Sequence, residues 1–420
     1  MHVVVIGAGI VGVCTAYALR QRGFQVTVVE RNPGAAQGAS FANAGVLAPA
    51  YASPWAQPGM PARVLRYLFS RHAPLVLRPT LRPATLAWLV RWLGECRARR
   101  YVQNKERMYR LAVYSRIVLH EVRDRHAIDF EQGSGYLQLF RSQREFERAA
   151  PGRAWLTEAG VPFRELTPAQ ARELEPALVE GAPLAAAVHL PDDETGNCAY
   201  FARRLRDVLA RDGVEFRFDT TALRLVPGVR GIERLDTDDG PLTADAYVVA
   251  AGVDSAALLR TAGIKVPLIA VLGYSLTAQI ARHEYAPFMS FMDETYKVAV
   301  TRMGNRLRVA GTAEIGSRRP RLRESALCTL RKVASDWFPA AASFVNARAW
   351  VGARPMLPDG PPLLGATPIP NLYLNVGHGG SGWLLACGSG RVVADVVAGR
   401  APDLDLTGLT LDRYTGGAKA

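Results

Sequence analysis

The stretch HVVVIGAGIVGVCTAYALRQRGFQVTVVER, residues 2–31, decides how the rest of the chain is read. A β-branched run, Val3 to Ile6, leads directly into Gly7-Ala8-Gly9-Ile10-Val11-Gly12. An Ala/Leu-rich amphipathic segment follows, and a second β-branched run ends at Glu30. Strand, glycine turn, helix and strand in that order make a βαβ unit, and the G-x-G-x-x-G spacing gives each glycine a task. Gly7 permits the tight turn, Gly9 lets backbone approach a pyrophosphate, and Gly12 lets helix and strand pack closely. The helix N-terminus then offers unpaired N–H groups and a positive dipole end to the phosphates. Glu30 can accept hydrogen bonds from both hydroxyls of an adenosine ribose, and its charge disfavours a 2′-phosphate. The segment therefore predicts a dinucleotide site. Read as a signal peptide it fails, because no basic stretch precedes the apolar run, three glycines interrupt it and a second strand follows.

The same grammar recurs near the other end in NLYLNVGHGGSGWLLACGSGRVVADVVAGR, residues 371–400. An apolar strand, Leu372 to Val376, enters a turn with Gly377, Gly379 and Gly382, and a helix is expected from about Trp383 to Val397. No second strand with a terminal acid follows, so this is not another βαβ unit for NAD. A helix N-terminus with no ribose partner suits a different anionic group, such as the N1/O2 edge of a reduced flavin. Between the ends, ADAYVVAAGVDSAALL (residues 244–259) reads as a buried strand over 246–250, ended by Gly252 and followed by a helix beginning near Asp254 and Ser255. Strands at 2–6, 25–30, 246–250 and 372–376 are thus expected to assemble one parallel sheet from separated pieces. YLQLF (136–140), SLTAQI (275–280), YKVAVTR (296–302) and NRLRVAGT (305–312) instead alternate with period two, as half-solvated antiparallel strands do. The expected architecture is α/β: a discontinuous Rossmann-like dinucleotide domain (1–50, 191–255 and 346–420) and an α+β second domain on an antiparallel sheet (51–190 and 256–345). The second domain includes an Arg-rich helical insertion at about 61–125.

The 420 residues carry 51 Lys+Arg against 38 Asp+Glu, a formal charge of +13, with 49% hydrophobic and 21% charged residues. That composition buries a large core and excludes a disordered basic tail. From Arg63 to Arg125 there are fifteen Lys/Arg and four acids (Glu95, Glu106, Glu121, Asp124), a local balance of +11, so one segment holds nearly all the excess. The five cysteines (14, 96, 198, 328, 387) have no C-x-x-C spacing and no neighbouring histidine pairs, which argues against a metal site or a disulfide framework and for a reducing, cytoplasmic compartment. Of the seven histidines only His378, inside the second glycine turn, stands near expected chemistry.

The chain resembles the flavoprotein family of D-amino-acid oxidase, glycine oxidase and monomeric sarcosine oxidase, and within it the D-amino-acid dehydrogenase small subunits. The resemblance runs the full length through Ser40-Phe41-Ala42-Asn43-Ala44-Gly45, YASPWAQPG (51–59), GYLQLF (135–140), LPDDETGNC (190–198), LGYSLT (272–277), MDETYKVAVTR (292–302), RVAGTAEI (308–315), RPMLPDG (354–360) and GHGGSGW (377–383). It implies FAD as cofactor. By the same resemblance, Val5, Ile6, the turn from Gly7 through Ala8, Gly9, Ile10 and Val11 to Gly12, Glu30 and Arg31 hold the ADP half. Ser40, Asn43, Ala44, Gly45 and Leu47 pass along the pyrophosphate and flavin. The strand around Ala222 contacts the adenine, Ala251 and Gly252 close on the cofactor, and Gly377, His378, Gly379, Gly380, Ser381 and Gly382 touch the flavin ring. Arg354 aligns with the arginine that pairs with the substrate carboxylate, a role suited to a guanidinium fork that stays protonated. Tyr274 and Tyr296 are weaker candidates for closing the pocket, and equally readable as packed core tyrosines.

The activity implied is oxidative deamination of a D-amino acid. A hydride passes from Cα to flavin N5, and water hydrolyses the imino acid to a 2-oxo acid and ammonia, chemistry that needs no protein nucleophile. The dehydrogenase branch passes electrons to a quinone-type acceptor, which brings the segment Pro61 to Tyr101 into play. Its arginines interleave with Leu, Val, Trp and Phe as in a helix lying on anionic lipid at the cytoplasmic face of the inner membrane, and equally as in an ordinary amphipathic insertion. Relatives work as homo- or hetero-oligomers. GHGGSGW and VGARPMLPDG depart from the usual forms of those motifs, and GSRRPRLRE (316–324) is unusually basic, so a D-hydroxyproline or another secondary-amine or glycine dehydrogenase or oxidase is the alternative enzyme. Readings of another class are an RNA-associated flavoprotein or a non-catalytic flavin-binding subunit. Trp/Leu interleaving and the lack of an RNA-binding motif argue against nucleic acid.

Overall fold

The computed structural model describes residues 1–415 apart from 69 and 318, so Phe69 of the Arg-rich insertion and Arg318 of the basic segment lie outside the described residues. The four strands expected to form one parallel sheet do so. Leu372–Val376, Ala246–Val249, His2–Ile6 and Gln25–Val29 lie side by side in that order, all parallel. Glu215–Arg217 extends the sheet in parallel beyond Gln25–Val29, and Leu363–Ala366 closes its other edge antiparallel. Val3, Val4 and Val5 are fully buried, as expected of a parallel strand covered on both faces. The helix Ile10–Gln21 packs on one face beside the C-terminal helix Gly382–Val397, which starts one residue earlier than its sequence pattern suggests. A three-stranded antiparallel ribbon, Ala222–Gly228, Gly231–Thr237 and Gly240–Leu242, lies between Glu215–Arg217 and Ala246–Val249 in the chain.

The second sheet has ten strands. Its main path runs Arg348–Met356, Ile269–Gln279, Arg306–Ile315, Val298–Met303, Ser290–Asp293, Gly133–Phe140, Ala186–Thr195 and Val46–Leu47. It is mostly antiparallel, with parallel pairings where Ser290–Asp293 meets Gly133–Phe140 and where Leu75–Leu77 joins Arg306–Ile315. The period-two segments are all strands, but not half-solvated ones: Arg306–Ile315 is buried at every position after Arg306. The reason is cover on both faces: the helix Glu324–Trp337 packs Leu330, Val333 and Trp337 against Leu276, Val300 and Val309, and on the other face Thr301 and Arg308 bond to the segment at Asn43 and Ala44.

Several boundaries differ from those expected. Val46–Leu47, the strand ending at Thr195 and Arg348–Met356 all hydrogen-bond into the second sheet, although their stretches were assigned to the dinucleotide domain. Conversely, the 29-residue helix Ala98–His126 of the Arg-rich insertion packs on the dinucleotide domain. Its Met108, Leu111, Ala112, Val118 and Val122 share a core with Val13, Leu385 and Val392. A Cβ on Gly388 would lie 2.7 Å from Ser115 Cα, so the C-terminal helix crosses this long helix at backbone contact. An amphipathic pattern marks which face is buried but not which domain buries it.

Candidate active site

The first glycine turn is built as its spacing requires. Gly7 has φ +108°, and a Cβ there would sit 2.6 Å from Ala250 O, while one on Gly12 would sit 1.8 Å from Gly7 O. Helix and strand meet with no room for a side chain at Gly7 or Gly12, and Gly9, Ile10 and Val11 at the helix start line the cleft. Ile10 N donates to Ser40 Oγ at 3.0 Å, tying the segment 40–45 to the same turn. Glu30 accepts from Ala8 N (2.7 Å) and Asn32 N (3.0 Å) and lines the cleft, and Arg31 pairs with Asp254 at 2.9 Å beside Gly252.

The segment 40–45 then crosses to the second sheet. Thr301 Oγ1 donates to Ala44 O (2.8 Å), Arg308 to Asn43 O (3.0 Å) and Gly196 N to Gly45 O (2.8 Å). Gly45, at φ +78°, would place a Cβ 2.4 Å from Met303 Cε. Arg308 is buried with no acidic partner among the described residues, and burial pulls its pKa down to about 10.

The second glycine turn lies opposite. Gly377 and Gly379 have positive φ, and a Cβ on Gly379 would meet Met356 Sδ at 2.6 Å. His378 is buried, its Nε2 3.0 Å from Ser389 Oγ, and burial lowers its pKa to about 3; it is a neutral strut that holds the turn rather than a proton carrier.

Between the glycine turns and the second sheet opens a continuous cavity of ≈ 2200 Å³, well above the roughly 300–1,000 Å³ of ordinary ligand pockets. It brings together Ile6, Gly7, Gly9, Ile10, Val11, Glu30, Arg31, Ser40, Asn43, Ala44, Ala222, Ala251, Gly252, the whole 377–382 turn, Tyr274, Tyr296 and Arg354. Val5, Ala8, Gly12, Gly45 and Leu47 do not line it. They stand behind it as core or as close-packed backbone. The residues present fit a large dinucleotide: Gly7 and Gly12 of the cradle have no space for a side chain, a carboxylate stands at the expected adenosine end, and two buried polar atoms in the wall, Asn375 Oδ1 and Trp383 Nε1, have no partner among the described residues.

Arg354 occupies the part of the cavity beside the second glycine turn, where a Cβ on Gly380 would lie 3.8 Å from its Cδ. Its guanidinium lies over Gly273, where any side chain would collide with it, and 5.7 Å from the centre of the Trp55 ring. One hydrogen bond, to Leu272 O at 3.3 Å, is all it makes, and among the described residues it has no carboxylate partner. Its pKa falls to about 10 through burial alone. On the same face Trp350 folds its indole over Gly352.

The two tyrosines line the cavity but make no hydrogen bond to Arg354 among the described residues. Strand pairing sets Tyr274 opposite Val351 and Arg354 opposite Val271, which puts their side chains on opposite faces of the sheet. The Tyr274 hydroxyl donates to buried Glu314 at 3.2 Å, and burial with that neighbour raises its pKa to about 12. Tyr296 packs against His72 and under the Arg141 guanidinium, 4.8 Å from its ring centre. Trp55, Asn32, Trp350, Asn375 and Trp383 line the cavity without having been picked out by the sequence pattern. Trp55 and Trp383 sit inside quoted motifs, and their size in glycine-rich company was the available signal.

The family described as DAO, FAD dependent oxidoreductase, matches residues 2–396. The chain is 46% identical over 417 residues to a protein of Methylobacterium radiotolerans named D-amino acid dehydrogenase, covering 99% of this chain and 100% of that protein. It is 44% identical over 416 residues to one of the same name from Rhizorhabdus wittichii, covering 99% and 100%. Among solved structures, glycine oxidase from Geobacillus kaustophilus is similar with a TM-score of 0.77 at 23% identity, covering 98% of each chain. L-proline dehydrogenase from P. horikoshii is similar with a TM-score of 0.74 at 19% identity, covering 100% and 99%.

Proposed function

The chain belongs to the DAO family of FAD-dependent oxidoreductases, and from that premise we propose that it oxidises D-amino acids to 2-oxo acids and ammonia. The observation that carries this reading is Arg354: a guanidinium with a single main-chain hydrogen bond and no counter-ion among the described residues, facing a cavity beside the second glycine turn. An unpaired buried cation is costly unless a ligand completes it, and a carboxylate matches the fork bidentately. The names of the relatives at 44–46% identity support the amino acid as donor.

FAD, when bound, supplies the two-electron acceptor for the Cα hydride. The Gly7–Gly12 turn, Glu30 and Asn32 would hold its adenosine and phosphates, and Ser40 to Ala44 and Gly377 to Gly382 would flank its ring. Arg354 fixes the substrate carboxylate. Trp55 and Trp350 stand against this face of the sheet and exclude water, so that the α-carbon meets the cofactor in one orientation. Hydrolysis of the imino acid follows without a protein nucleophile. A secondary amine such as a hydroxyproline isomer is the alternative donor, favoured by the small Gly380 and Ser381 beside Arg354.

For the electron acceptor we propose a quinone-type molecule reached from a lipid surface. The Arg-rich insertion supports both earlier readings in part. Trp88 and Trp92 are core, stacked at 6.4 Å against the second sheet, whereas Leu86, Val90 and Leu93 of the same helix are exposed together with Leu65, Leu68, Arg66 and Arg91. Among the described residues no helix is long and apolar enough to cross a membrane. Anaerobic mixing of the flavin-loaded protein with D-amino acids, glycine, sarcosine and hydroxyproline isomers tests the donor. Re-oxidation by a soluble quinone or by O₂ then tests the acceptor. Bleaching by D-alanine with faster re-oxidation by quinone is expected; a flavin that no amine bleaches would remove the reading.

A further inference from the structure

The cavity that takes in Arg354 has a further part, here called its second lobe, whose wall is formed by the first turns of the long helix 98–126, the helix 150–158 and the turn at Tyr51. Lys105 stands in its wall, 6% exposed, with Nζ 3.5 Å above the centre of the Trp155 ring. Among the described residues its Nζ makes no hydrogen bond and no ion pair. Glu294, an acid lining the same lobe, is already taken by Lys297 and by the Tyr51 hydroxyl at 3.2 Å. Lys105 is therefore a buried cation with no anionic partner among the described residues, on the cavity that also holds Arg354. Burial alone lowers its pKa to about 8, so the amine is still mostly protonated at neutral pH but holds its proton less firmly than a surface lysine, and an anion beside it would restore that hold. A lysine serving only to cover Trp155 would extend its head into water, as long cationic side chains do on surfaces.

We propose that this lobe is an anion subsite in which Lys105 receives the side-chain carboxylate of an acidic D-amino acid whose α-carboxylate rests on Arg354. The inference rests on the reading of Arg354 as the α-carboxylate anchor, and adds a substrate class to it. The Trp155 face holds the ammonium in place by cation–π attraction before substrate binds, so ordering the side chain costs less at the moment of binding. One ligand chemistry, a small carboxylate, has two sources here: the substrate's own side chain or a separate anion.

The test compares wild type, Lys105→Met and Lys105→Arg as flavin-loaded proteins. Methionine keeps an unbranched stem against Trp155 and removes a buried charge, so it is not expected to unfold the chain. The ratio of kcat/KM for D-glutamate or D-aspartate to that for D-alanine is expected to fall at least about tenfold, or ~1.4 kcal/mol, in Lys105→Met and to recover in part in Lys105→Arg. In a binding arm independent of turnover, glutarate should perturb the flavin spectrum at roughly tenfold lower concentration than butyrate in wild type, and that preference should vanish in Lys105→Met. If no D-amino acid bleaches the flavin but glutarate keeps its Lys105-dependent preference, the subsite stands and the proposed reaction fails. Equal loss for acidic and neutral substrates, or no preference for glutarate, overturns the subsite. So does acetate altering D-alanine turnover in wild type alone, which would assign Lys105 to a separate anion.

Discussion

Replacing Arg354 with methionine removes the guanidinium that lies beside the second glycine turn, and the size of the effect follows from what surrounds it. The guanidinium makes a single 3.3 Å bond to Leu272 O, so its remaining N–H groups are free for a ligand. Two charge-assisted hydrogen bonds to a carboxylate contribute roughly 1.5–3 kcal/mol each, and losing both should cost about 3–5 kcal/mol. That corresponds to a fall in kcat/KM for D-alanine of roughly 200- to 5000-fold. Lysine at the same position restores charge without the fork and should recover about tenfold of the loss. Stability should move the other way: the substrate-free methionine variant should melt at or above the wild-type temperature, because an uncompensated buried charge has gone. Anaerobic stopped-flow bleaching gives the apparent dissociation constant and the reduction rate separately, and thermal melting of the same samples controls for folding. An apparent affinity for D-alanine within about threefold of wild type would refute the anchor.

Other consequences are equally specific. Gly7→Ala should lose FAD, measured as the ratio of flavin to protein absorbance, because its Cβ would meet Ala250 O at 2.6 Å; Gly23→Ala, away from the cavity and with nothing within 4 Å, should retain it and lose only about 1–2 kcal/mol to its positive φ. Asp193 is buried, and burial raises its pKa from 3.8 to about 7. The folded state therefore keeps a proton that the unfolded chain releases near pH 4, stability falls as pH rises from about 4 to 7, and Asp193→Asn should gain roughly 2–4 kcal/mol at pH 8 but little at pH 4. An equal gain in urea melts at both pH values would contradict this. His378 shows the opposite slope: burial depresses its pKa to about 3, so its share of stability is whole above about pH 6.5 and is lost as pH falls toward 3. His378→Gln should flatten the acid side of the stability profile, which melting temperatures between pH 4 and 7 will report.

The parts of this site that could be read from sequence are those where chemistry forces a local pattern. A phosphate-binding turn needs glycines at fixed spacing and an acid after the next strand, a pattern that Gly7, Gly9, Gly12 and Glu30 present in full, whereas Gly377 to Gly382 repeat the glycine spacing alone. The four parallel strands followed from those turns. Assignments to a layer were less legible. The long helix 98–126 carries an apolar stripe that fits either domain, and only the small residues facing it, Ser115 against Gly388, settle the choice. Tyr274 looked like a pocket residue because it lies in LGYSLT, yet one residue of strand alternation sends its hydroxyl to Glu314. Lys105 gave no signal, since a lysine on an Arg-rich helix reads as solvated; what distinguishes it is the Trp155 ring from fifty residues away.

The central claim is that this protein removes a hydride from a D-amino acid onto bound flavin. Anaerobic titration of the flavin-loaded protein with D-alanine tests it most directly, with L-alanine in parallel. The account predicts full loss of the oxidised flavin band at one equivalent of D-alanine per flavin, with pyruvate and ammonia released in the same amount and no change with L-alanine. Bleaching by L-alanine as readily as by D-alanine, or none by either, would contradict it.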